Sequence, residues 1–183
     1  MARRYRRWIC KISLLARIVY GKAGRDLWRE FYTREIQHKV KSYGVGLRVN
    51  APCHMTPNTI LGNYCNFNGM TIKGSGTCKI GDYFHSGEEC YVLTQNHNYE
   101  GSEIPYDSTY VAKDVVIGNF VWLGTRVIIL PGTEIGDGAI IQAGSVVHGK
   151  IPPCAIAGGN PAVVFKYRDK EHFEKLKKLG KFH

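Results

Sequence analysis

Large aliphatic residues recur along the second half of the chain with a period of six. Counting from Ile117, every sixth residue up to Val147 is Ile, Leu or Val, and the residue four places after each one is small or branched and never charged. This period matches neither an α-helix, at 3.6 residues per turn, nor a two-sided strand, at 2.0. It is typical of a parallel β-helix, in which the chain turns a corner every six residues and buries one aliphatic side chain per face. Three such faces make one coil of eighteen residues.

The same register extends back to Leu61, with one extra residue absorbed somewhere in Gly69–Thr77. It breaks after Val92, because the next register position is Ile117, which lies 25 residues later, or four hexads plus one. Between them, residues 95–114 are polar and rich in turn formers, so we predict a loop extruded from the coil. A long loop inside a regular repeat is often functional.

The pattern divides the chain into three parts. We predict a basic helical N-terminal segment at residues 1–46, a β-helix at residues 47–161, and a C-terminal segment at residues 162–183 that contains a short helix from Asp169 to Gly180. That helix has three apolar residues on one side: Phe173, Leu176 and Leu179. Since a stacked coil leaves open strand edges at its ends, the N-terminal helical segment is the candidate cap.

The composition is that of an ordinary folded domain, with 44% hydrophobic and 22% charged residues and a net charge of +10. The charge is uneven: residues 1–48 carry +10, residues 49–161 carry −4, and residues 162–183 carry +4. Because the repeat body is mildly acidic, the overall basic charge does not indicate a nucleic-acid-binding protein. The six cysteines include no CxxC pair, so we expect reduced thiols in a cytoplasmic protein, with Cys90 filling the core.

The first twenty residues combine basic and apolar side chains. Four apolar residues recur at helical spacing: Trp8, Ile12, Leu15 and Val19. This pattern predicts a basic amphipathic helix, for which there are three alternatives: contact with an anionic membrane surface, packing on the body, or a partly ordered tail. Lys11 and Arg17 interrupt the run, so it favours neither a signal peptide nor a membrane span, which needs about 18 apolar residues.

His97 is the candidate catalytic residue. It lies where the coil stops and the predicted loop begins, at the fifth position after Val92. Histidine exchanges protons near neutral pH, so a histidine at the junction of a rigid element and a loop is well suited to act as a general base.

The stretch from Leu61 to Arg168 resembles the hexapeptide-repeat acyltransferases, in particular the maltose and galactoside O-acetyltransferases and related polysaccharide O-acetyltransferases. The resemblance is carried by YCNFN at 64–68, KIGD at 79–82, His97, IGNFVWLG at 117–124, PG at 131–132, IGD at 135–137, AGSVV at 143–147, IPP at 151–153 and AGGNPA at 157–162. It covers about 110 of the 183 residues and does not extend to residues 1–46.

The resemblance implies an all-β fold built on a left-handed parallel β-helix and assembled as a homotrimer. It also implies acetyl-CoA as the acyl donor, bound in the cleft between neighbouring subunits and covered by the extruded loop. We therefore predict an acetyl-CoA-dependent O-acetyltransferase that acts on a sugar hydroxyl of a glycan or cell-envelope polysaccharide. The expected location is the cytoplasm, at the inner face of the cell membrane if residues 1–20 contact it, and no nucleic-acid partner is expected.

Roles for individual residues also follow from the resemblance. It implies that His97 is the general base and that Tyr64, Asn66 and Trp122 lie on the acceptor side. We add His85 to the acceptor set, because a trimer would let it approach a neighbour's site.

On the donor side, the resemblance implies contacts with CoA at Gly124, Thr125 and Ala143, and at Lys166 near the nucleotide phosphates. The chain has His148-Gly149 where the family often has Thr-Lys, so that donor contact does not carry over.

Two other functions are compatible with the sequence, and a third, a zinc lyase, is not supported by its histidines. The same site could acylate the amine of an amino sugar. A zinc lyase on this scaffold would need three converging histidines, and the repeat body has no closely spaced histidine pair. A non-catalytic trimeric scaffold could bind a membrane or nucleic acid through its basic ends.

Overall fold

The structure is a computed structural model that describes residues 21–183. The amphipathic helix predicted within residues 1–20, together with its membrane contact, lies outside the described residues. The described part contains two α-helices, α1 (Lys22–Lys39) and α2 (Lys170–Lys178). Its strands are β1 (Arg48–Ala51), β2 (Thr59–Leu61), β3 (Asn66–Asn68), β4 (Met70–Lys73), β5 (Cys78–Ile80), β6 (His85–Ser86), β7 (Cys90–Leu93), β8 (Gln95–His97), β9 (Tyr110–Ala112), β10 (Val115–Ile117), β11 (Trp122–Leu123), β12 (Ile128–Ile129), β13 (Glu134–Ile135), β14 (Ile140–Ile141), β15 (Val146–Val147), β16 (Lys150–Ile151), β17 (Ala155–Gly159) and β18 (Ala162–Tyr167).

Parallel pairing of strands from successive coils forms the three faces of a β-helix. Face 1 contains β2, β5, β10, β13 and β16; face 2 contains β1, β3, β6, β11, β14, β17 and β18; and face 3 contains β4, β7, β12 and β15. Ile117 pairs with Ile135, and Leu123 pairs with Ile141, each partner lying 18 residues later in the chain. The predicted coil of eighteen residues is thereby confirmed.

The aliphatic residues of the repeat fill the interior of the coils. Ile117, Leu123, Ile129 and Ile141 are each no more than 1% exposed. Burying one such side chain contributes roughly 1.5–3 kcal/mol, so the stacked aliphatic columns supply much of the stability of the fold. Cys90 is also fully buried, which confirms its predicted role in the core.

One residue with positive φ turns each corner between face 1 and face 2. This position is occupied in successive coils by Tyr64 (φ 55°), Tyr83 (φ 53°), Phe120 (φ 58°), Gly138 (φ 70°) and Cys154 (φ 58°). The left-handed backbone conformation is uncommon for residues other than glycine, so its repetition reflects the sharp turn that the coil requires. Because the corners stack, the side chains at these positions form a column along the edge of the molecule.

The interruption predicted between Val92 and Ile117 is a β-hairpin. Strands β8 and β9 pair antiparallel, with Gln95 opposite Ala112 at the base. Ile80 pairs with Ile117 across the interruption, 37 residues later, which is one coil plus nineteen inserted residues. The hairpin therefore leaves the stack between face 3 and face 1 without disturbing its register.

Helix α1 covers the N-terminal end of the coil stack, as predicted for a cap. Its Ile36 is 1% exposed, and its Thr33 Oγ1 accepts a hydrogen bond from the backbone N–H of Val49 on β1, at 3.0 Å. The helix thus satisfies a donor on the first strand and shields the apolar end of the core.

The C-terminal segment adds a strand and a helix. Strand β18 runs antiparallel to β17, an addition to face 2 that the hexapeptide pattern does not predict. Helix α2 follows, and Asp169 caps it by accepting a hydrogen bond from the His172 N–H at 2.9 Å. The predicted helix is confirmed; Leu179, the last of the three apolar residues on one side of the predicted helix, follows the last helical residue and is 59% exposed.

Candidate active site

Outward-facing side chains of face 2 form a column across the coils. Strand pairing aligns Asn66 with His85 and His85 with Trp122, and Arg48 lies opposite Asn66 on β1. Successive residues of a strand point to opposite sides, so these residues face outward while their neighbours, such as Leu123, face the core. Three positions predicted to be on the acceptor side, Asn66, His85 and Trp122, are therefore brought together by the fold.

Tyr64 belongs to the aromatic column at the corner beside face 2. Its ring stacks on Tyr83 at 4.8 Å between centroids, and Tyr83 stacks on Phe120 at 5.4 Å. Gly46 lies at the end of this column, where an added Cβ would come within 2.4 Å of the Tyr64 ring. The aromatic rings and the glycine beside them fix Tyr64 next to Asn66.

The Asn66 side chain is oriented by a neighbouring amide. Asn50 Nδ2 donates hydrogen bonds to Asn66 Oδ1 at 2.7 Å and to Asn68 Oδ1 at 2.9 Å. With its oxygen occupied, Asn66 presents an NH₂ group that can donate to a hydroxyl, since an amide carries both a donor and an acceptor group.

His85 is half-buried under the C-terminal end of the described chain. Its Nε2 lies 3.2 Å from the carbonyl oxygen of His183, and the two imidazole rings are 5.8 Å apart. Burial lowers the pKa of His85 below its ordinary value, and the charges of His183 and Arg48 add to this effect, while the contact with the His183 carbonyl opposes it. His85 is consequently biased toward its neutral form.

Trp122 is 53% exposed, next to a corner where backbones lie unusually close. A Cβ on Gly87 would lie 2.5 Å from the Thr125 nitrogen, and a Cβ on Gly124 would lie 2.5 Å from the Ala143 nitrogen. Glycine at both positions lets successive coils stack at this corner. Gly124, Thr125 and Ala143 thus line one edge of face 2, and Thr125 and Ala143 are exposed there.

Lys166 lies further along the same face. It is exposed on β18, where it pairs with Ile156 of β17. The donor-side positions predicted from the sequence therefore follow the long axis of the coil stack, from the edge beside Trp122 toward its C-terminal end.

His97 lies on the hairpin and is held by aromatic rings. Its imidazole stacks on Tyr106 at 3.9 Å and contacts Tyr110 at 4.7 Å, both measured between centroids. Asp107 ties the hairpin tip together by accepting hydrogen bonds from the N–H groups of Ser102 at 3.0 Å and Thr109 at 2.8 Å. A hydrogen bond from the Thr109 hydroxyl, together with these two backbone bonds, lowers the pKa of Asp107.

Within one chain, His97 is separated from the face 2 column. The hairpin emerges from the corner between face 3 and face 1, and in a three-sided coil that corner lies opposite face 2. The fold brings Tyr64, Asn66, His85 and Trp122 together, but it does not bring His97 to them.

Several residues at this face were not identified from the sequence. The hexapeptide register contains the signal for two of them, because Tyr83 follows Ile80 and Phe120 follows Ile117 at the same spacing of three residues. No such signal exists for Phe182, whose ring folds back to lie 4.5 Å from Tyr83 and 5.2 Å from Phe120.

Residues 21–183 contain no cluster of three or more histidine, cysteine or carboxylate side chains that could hold a metal ion. In that same range, no helix is long and apolar enough to cross a membrane.

Comparison with known proteins agrees with this architecture. The model of the bacterial transferase hexapeptide, with six repeats, matches residues 114–149. The galactoside O-acetyltransferase of Escherichia coli K12 is 36% identical over 115 residues, which cover 61% of this chain and 56% of that protein. The putative lipopolysaccharide biosynthesis O-acetyl transferase WbbJ of the same strain is 32% identical over 135 residues, or 67% of this chain and 66% of that protein. The chain thus spans little more than half the length of the first of these relatives.

A solved structure shows the same fold. A galactoside acetyltransferase in complex with coenzyme A superposes with a TM-score of 0.65 and 29% identity, covering 75% of this chain and 70% of that one. The predicted fold class, a left-handed parallel β-helix with helical segments at its ends, is confirmed.

Proposed function

We propose that this chain, which belongs to the hexapeptide-repeat acyltransferases, is an acetyl-CoA-dependent O-acetyltransferase that acts on a sugar hydroxyl. The observation that carries the proposal is the outward column of face 2, where a polar amide, a neutral-biased histidine and an exposed indole adjoin a glycine-lined edge. Polar side chains of this kind orient a hydroxylated acceptor, and the exposed, small Thr125 and Ala143 at the glycine-lined edge leave room for the donor.

The donor-side residues have the chemistry that an extended thioester needs. Thr125 and Ala143 are exposed beside Gly124 and carry no bulky side chains, and Lys166 offers a positive charge further along the face. Relatives in this family have been solved with coenzyme A or acetyl-CoA, which supports acetyl-CoA as the donor.

The complete site requires two copies of the chain. Because the hairpin corner lies opposite face 2, His97 cannot act on an acceptor bound by Asn66 and Trp122 of its own chain. Closed rings are the common form of assemblies in which one surface binds a different surface of the next copy. A homotrimer in which the hairpin of one subunit covers face 2 of its neighbour completes the site.

The reaction then needs one proton acceptor and a well-aligned pair of substrates. His97 removes the proton from the acceptor hydroxyl, and the oxygen attacks the thioester carbonyl. Backbone N–H groups stabilise the negative charge on that carbonyl oxygen, the carbon–sulfur bond breaks, and the thiolate of coenzyme A takes up a proton. Holding both substrates in one cleft supplies the orientation.

We also propose that the enzyme works in the cytoplasm, where acetyl-CoA is available, and that residues 1–20 bring it to the anionic inner face of the membrane. Deleting residues 1–20 should reduce co-sedimentation with anionic liposomes without changing the acetylation of a soluble acceptor. Unchanged liposome association would refute the membrane contact and leave the proposed reaction untouched.

Two measurements test the proposed reaction. The first is an acceptor screen with acetyl-CoA, reading release of free thiol across neutral sugars, nucleotide sugars and amino sugars. Transfer to the nitrogen of amino sugars alone would replace O-acetylation by N-acylation. The second is His97→Ala, which should retain the oligomeric state and lose at least ~100-fold in transfer rate, the lower range for a general base.

The matched control for this substitution is His38→Ala. His38 is exposed, as His97 is, but it lies on the capping helix α1 rather than on the hairpin. The control should keep its rate within ~3-fold, because surface substitutions away from a site have small effects. Comparable rates in both variants would exclude His97 as the base.

A further inference from the structure

The C-terminal segment covers a cavity on face 2. This cavity is separate from the edge at Gly124, Thr125 and Ala143 that is proposed for the donor. This cavity has a volume of about 370 Å³ and extends from Trp122 and His85 to the inner side of α2 and the residues after it. On the other side of Phe182 and His183 a second cavity, of about 380 Å³, contains Asn66 and Tyr64. The first cavity, called here the cationic compartment, therefore adjoins the acceptor side of the proposed site and shares His85 with it.

The cationic compartment is lined by three fixed positive charges. These are Arg168, from the end of β18, and Lys177 and Lys181, from α2 and the turn that follows it. No aspartate or glutamate is among the described residues that line it. Among the salt bridges of residues 21–183, none involves these three cations.

Arg168 is the least compensated of the three. Within the described part of the chain, its Nε is buried and has no hydrogen-bond partner. Its guanidinium carbon lies 5.6 Å from the centroid of the Phe173 ring, so the charge is in contact with an aromatic face. Leaving a buried N–H of a charged group unpaired is costly, and an anion in the adjoining cavity would offset part of that cost.

The remaining walls of the compartment are aromatic. Lys177 Nζ lies 5.6 Å from the Phe120 centroid, and the rings of Phe173 and Phe182 complete that wall. Trp122 lies at the end nearest the acceptor column. Aromatic faces stack on sugar rings and heterocyclic bases, while the cations bind phosphate, for which arginine is well suited in geometry.

We propose that the cationic compartment binds a phosphate or diphosphate group carried by the acceptor, so that the substrate is a phosphorylated sugar rather than a neutral one. This inference rests on the proposed O-acetyltransferase function. A single carboxylate would leave two of the three cations uncompensated, whereas a diphosphate matches them. The sugar attached to it would extend past Trp122 and His85 toward Asn66.

The test measures anion binding separately from catalysis. Inorganic pyrophosphate is titrated calorimetrically into the full-length protein in the presence of saturating coenzyme A, which occupies the donor's own phosphate sites. The double variant Lys177→Gln/Lys181→Gln removes two of the cations that line the compartment. It should weaken pyrophosphate binding at least ~10-fold, as expected for the loss of two charge-assisted contacts.

The matched control is Lys175→Gln/Lys178→Gln, which makes the same change of charge on the opposite side of α2, where these lysines border a different surface depression. The control should bind pyrophosphate within ~2-fold of the wild type, since exposed charges act weakly at a distance. Equal weakening in both double variants, or complete displacement of pyrophosphate by coenzyme A, would overturn the proposal.

Steady-state kinetics with two acceptors that differ only in a phosphate group tests whether the compartment binds the acceptor during the reaction. For a sugar 1-phosphate, the Lys177→Gln/Lys181→Gln variant should raise KM with little change in kcat, and for the unphosphorylated sugar neither constant should change. If the acceptor screen finds no transfer at all, the proposed reaction fails while pyrophosphate binding still reports on the compartment. Uridine diphosphate and vesicles containing a polyprenyl diphosphate then separate the two sources of the group, soluble nucleotide and lipid carrier.

Discussion

The regular coils and the hairpin differ in how deeply their side chains are buried and in how their strands are paired. In the coils after Ile117, the inward residue of each face is almost completely buried, and each strand from β10 to β14 pairs with strands in the coils before and after it. In the hairpin, Ile104 is 96% exposed, and within residues 21–183 the two strands pair only with each other. The coils are therefore fixed by many cooperative contacts, whereas the hairpin is held by its own hydrogen bonds and by the rings around His97.

Because of this difference, the residues that stabilise the fold and the residue proposed as the base lie in different regions of the molecule. A segment that contributes little to the core can carry a catalytic side chain and move against a neighbouring subunit without loss of the fold. The coil face, in contrast, offers a rigid platform whose side chains are spaced by strand pairing. A site that needs both a rigid platform and a movable base can be formed where the hairpin of one copy meets the face of another.

The largest expected effect is recovery of activity on mixing two inactive variants. His97→Ala inactivates the hairpin, and Asn66→Leu inactivates the coil face. In a random mixture of the two chains, each mixed trimer has one interface with both native residues, so activity should recover to about a quarter of the wild type for a cyclic trimer. Co-expression with two affinity tags, followed by the thiol-release assay, measures this recovery. A mixture no more active than either parent would contradict a site shared between subunits.

Next in size is the stability difference between the two regions. Leu123→Ala removes a fully buried side chain and should lower the free energy of unfolding by about 2–5 kcal/mol. Ile104→Ala, at the exposed hairpin, should change it by less than ~0.5 kcal/mol. Chemical denaturation followed by circular dichroism compares them. A similar loss in both variants would mean that the hairpin belongs to the cooperative core.

A smaller effect is expected where α2 docks on the corner column. A Cβ on Gly138 (φ 70°) would lie 2.8 Å from the Phe173 ring, whereas a Cβ on Gly144 (φ 71°) would meet nothing within 4 Å. Both alanine variants incur roughly 1–2 kcal/mol for the left-handed backbone. Gly138→Ala should cost about 1 kcal/mol more and raise the hydrogen exchange of α2. Equal exchange in the two variants would show that Phe173 does not anchor the helix there.

The smallest effect concerns pH. Because the pKa of His85 is lowered in the folded chain, the unfolded chain binds a proton more readily. Stability supported by neutral His85 is therefore present above about pH 6.5, the ordinary value, and is lost as the pH falls through the folded pKa. The melting temperature should fall between pH 7 and pH 5 slightly more for the wild type than for His85→Gln. An identical pH dependence in the two proteins would show that His85 does not cause this loss of stability.

Much of the fold could be predicted from the sequence, because the period of six is a local signal repeated many times. The inward positions at Ile117 and Leu123, the break after Val92 and the helix capped by Asp169 follow from spacing and residue type alone. Strand β18 could not be predicted in this way, because its antiparallel pairing departs from the repeat.

The candidate site, like the fold, could be predicted from the sequence only in part. A motif resemblance predicted His97, Asn66 and Trp122 as individual residues, and their roles remain predictions. The neighbourhood of each could not be predicted: the return of Phe182 and His183 onto His85 joins residues 98 positions apart in the chain.

The sequence by itself therefore determined the coil, because a hexad repeat fixes which side chains face inward and how successive turns stack. Only the tertiary structure decided which outward residues share a face, that the hairpin corner lies opposite this face, and that three cations of the C-terminal segment converge beside Trp122. The physical reason is the range of the interactions. The periodicity of buried positions depends on residues that are close together in the chain. The residues that form a site, in contrast, are brought together by contacts between segments that are distant in the chain.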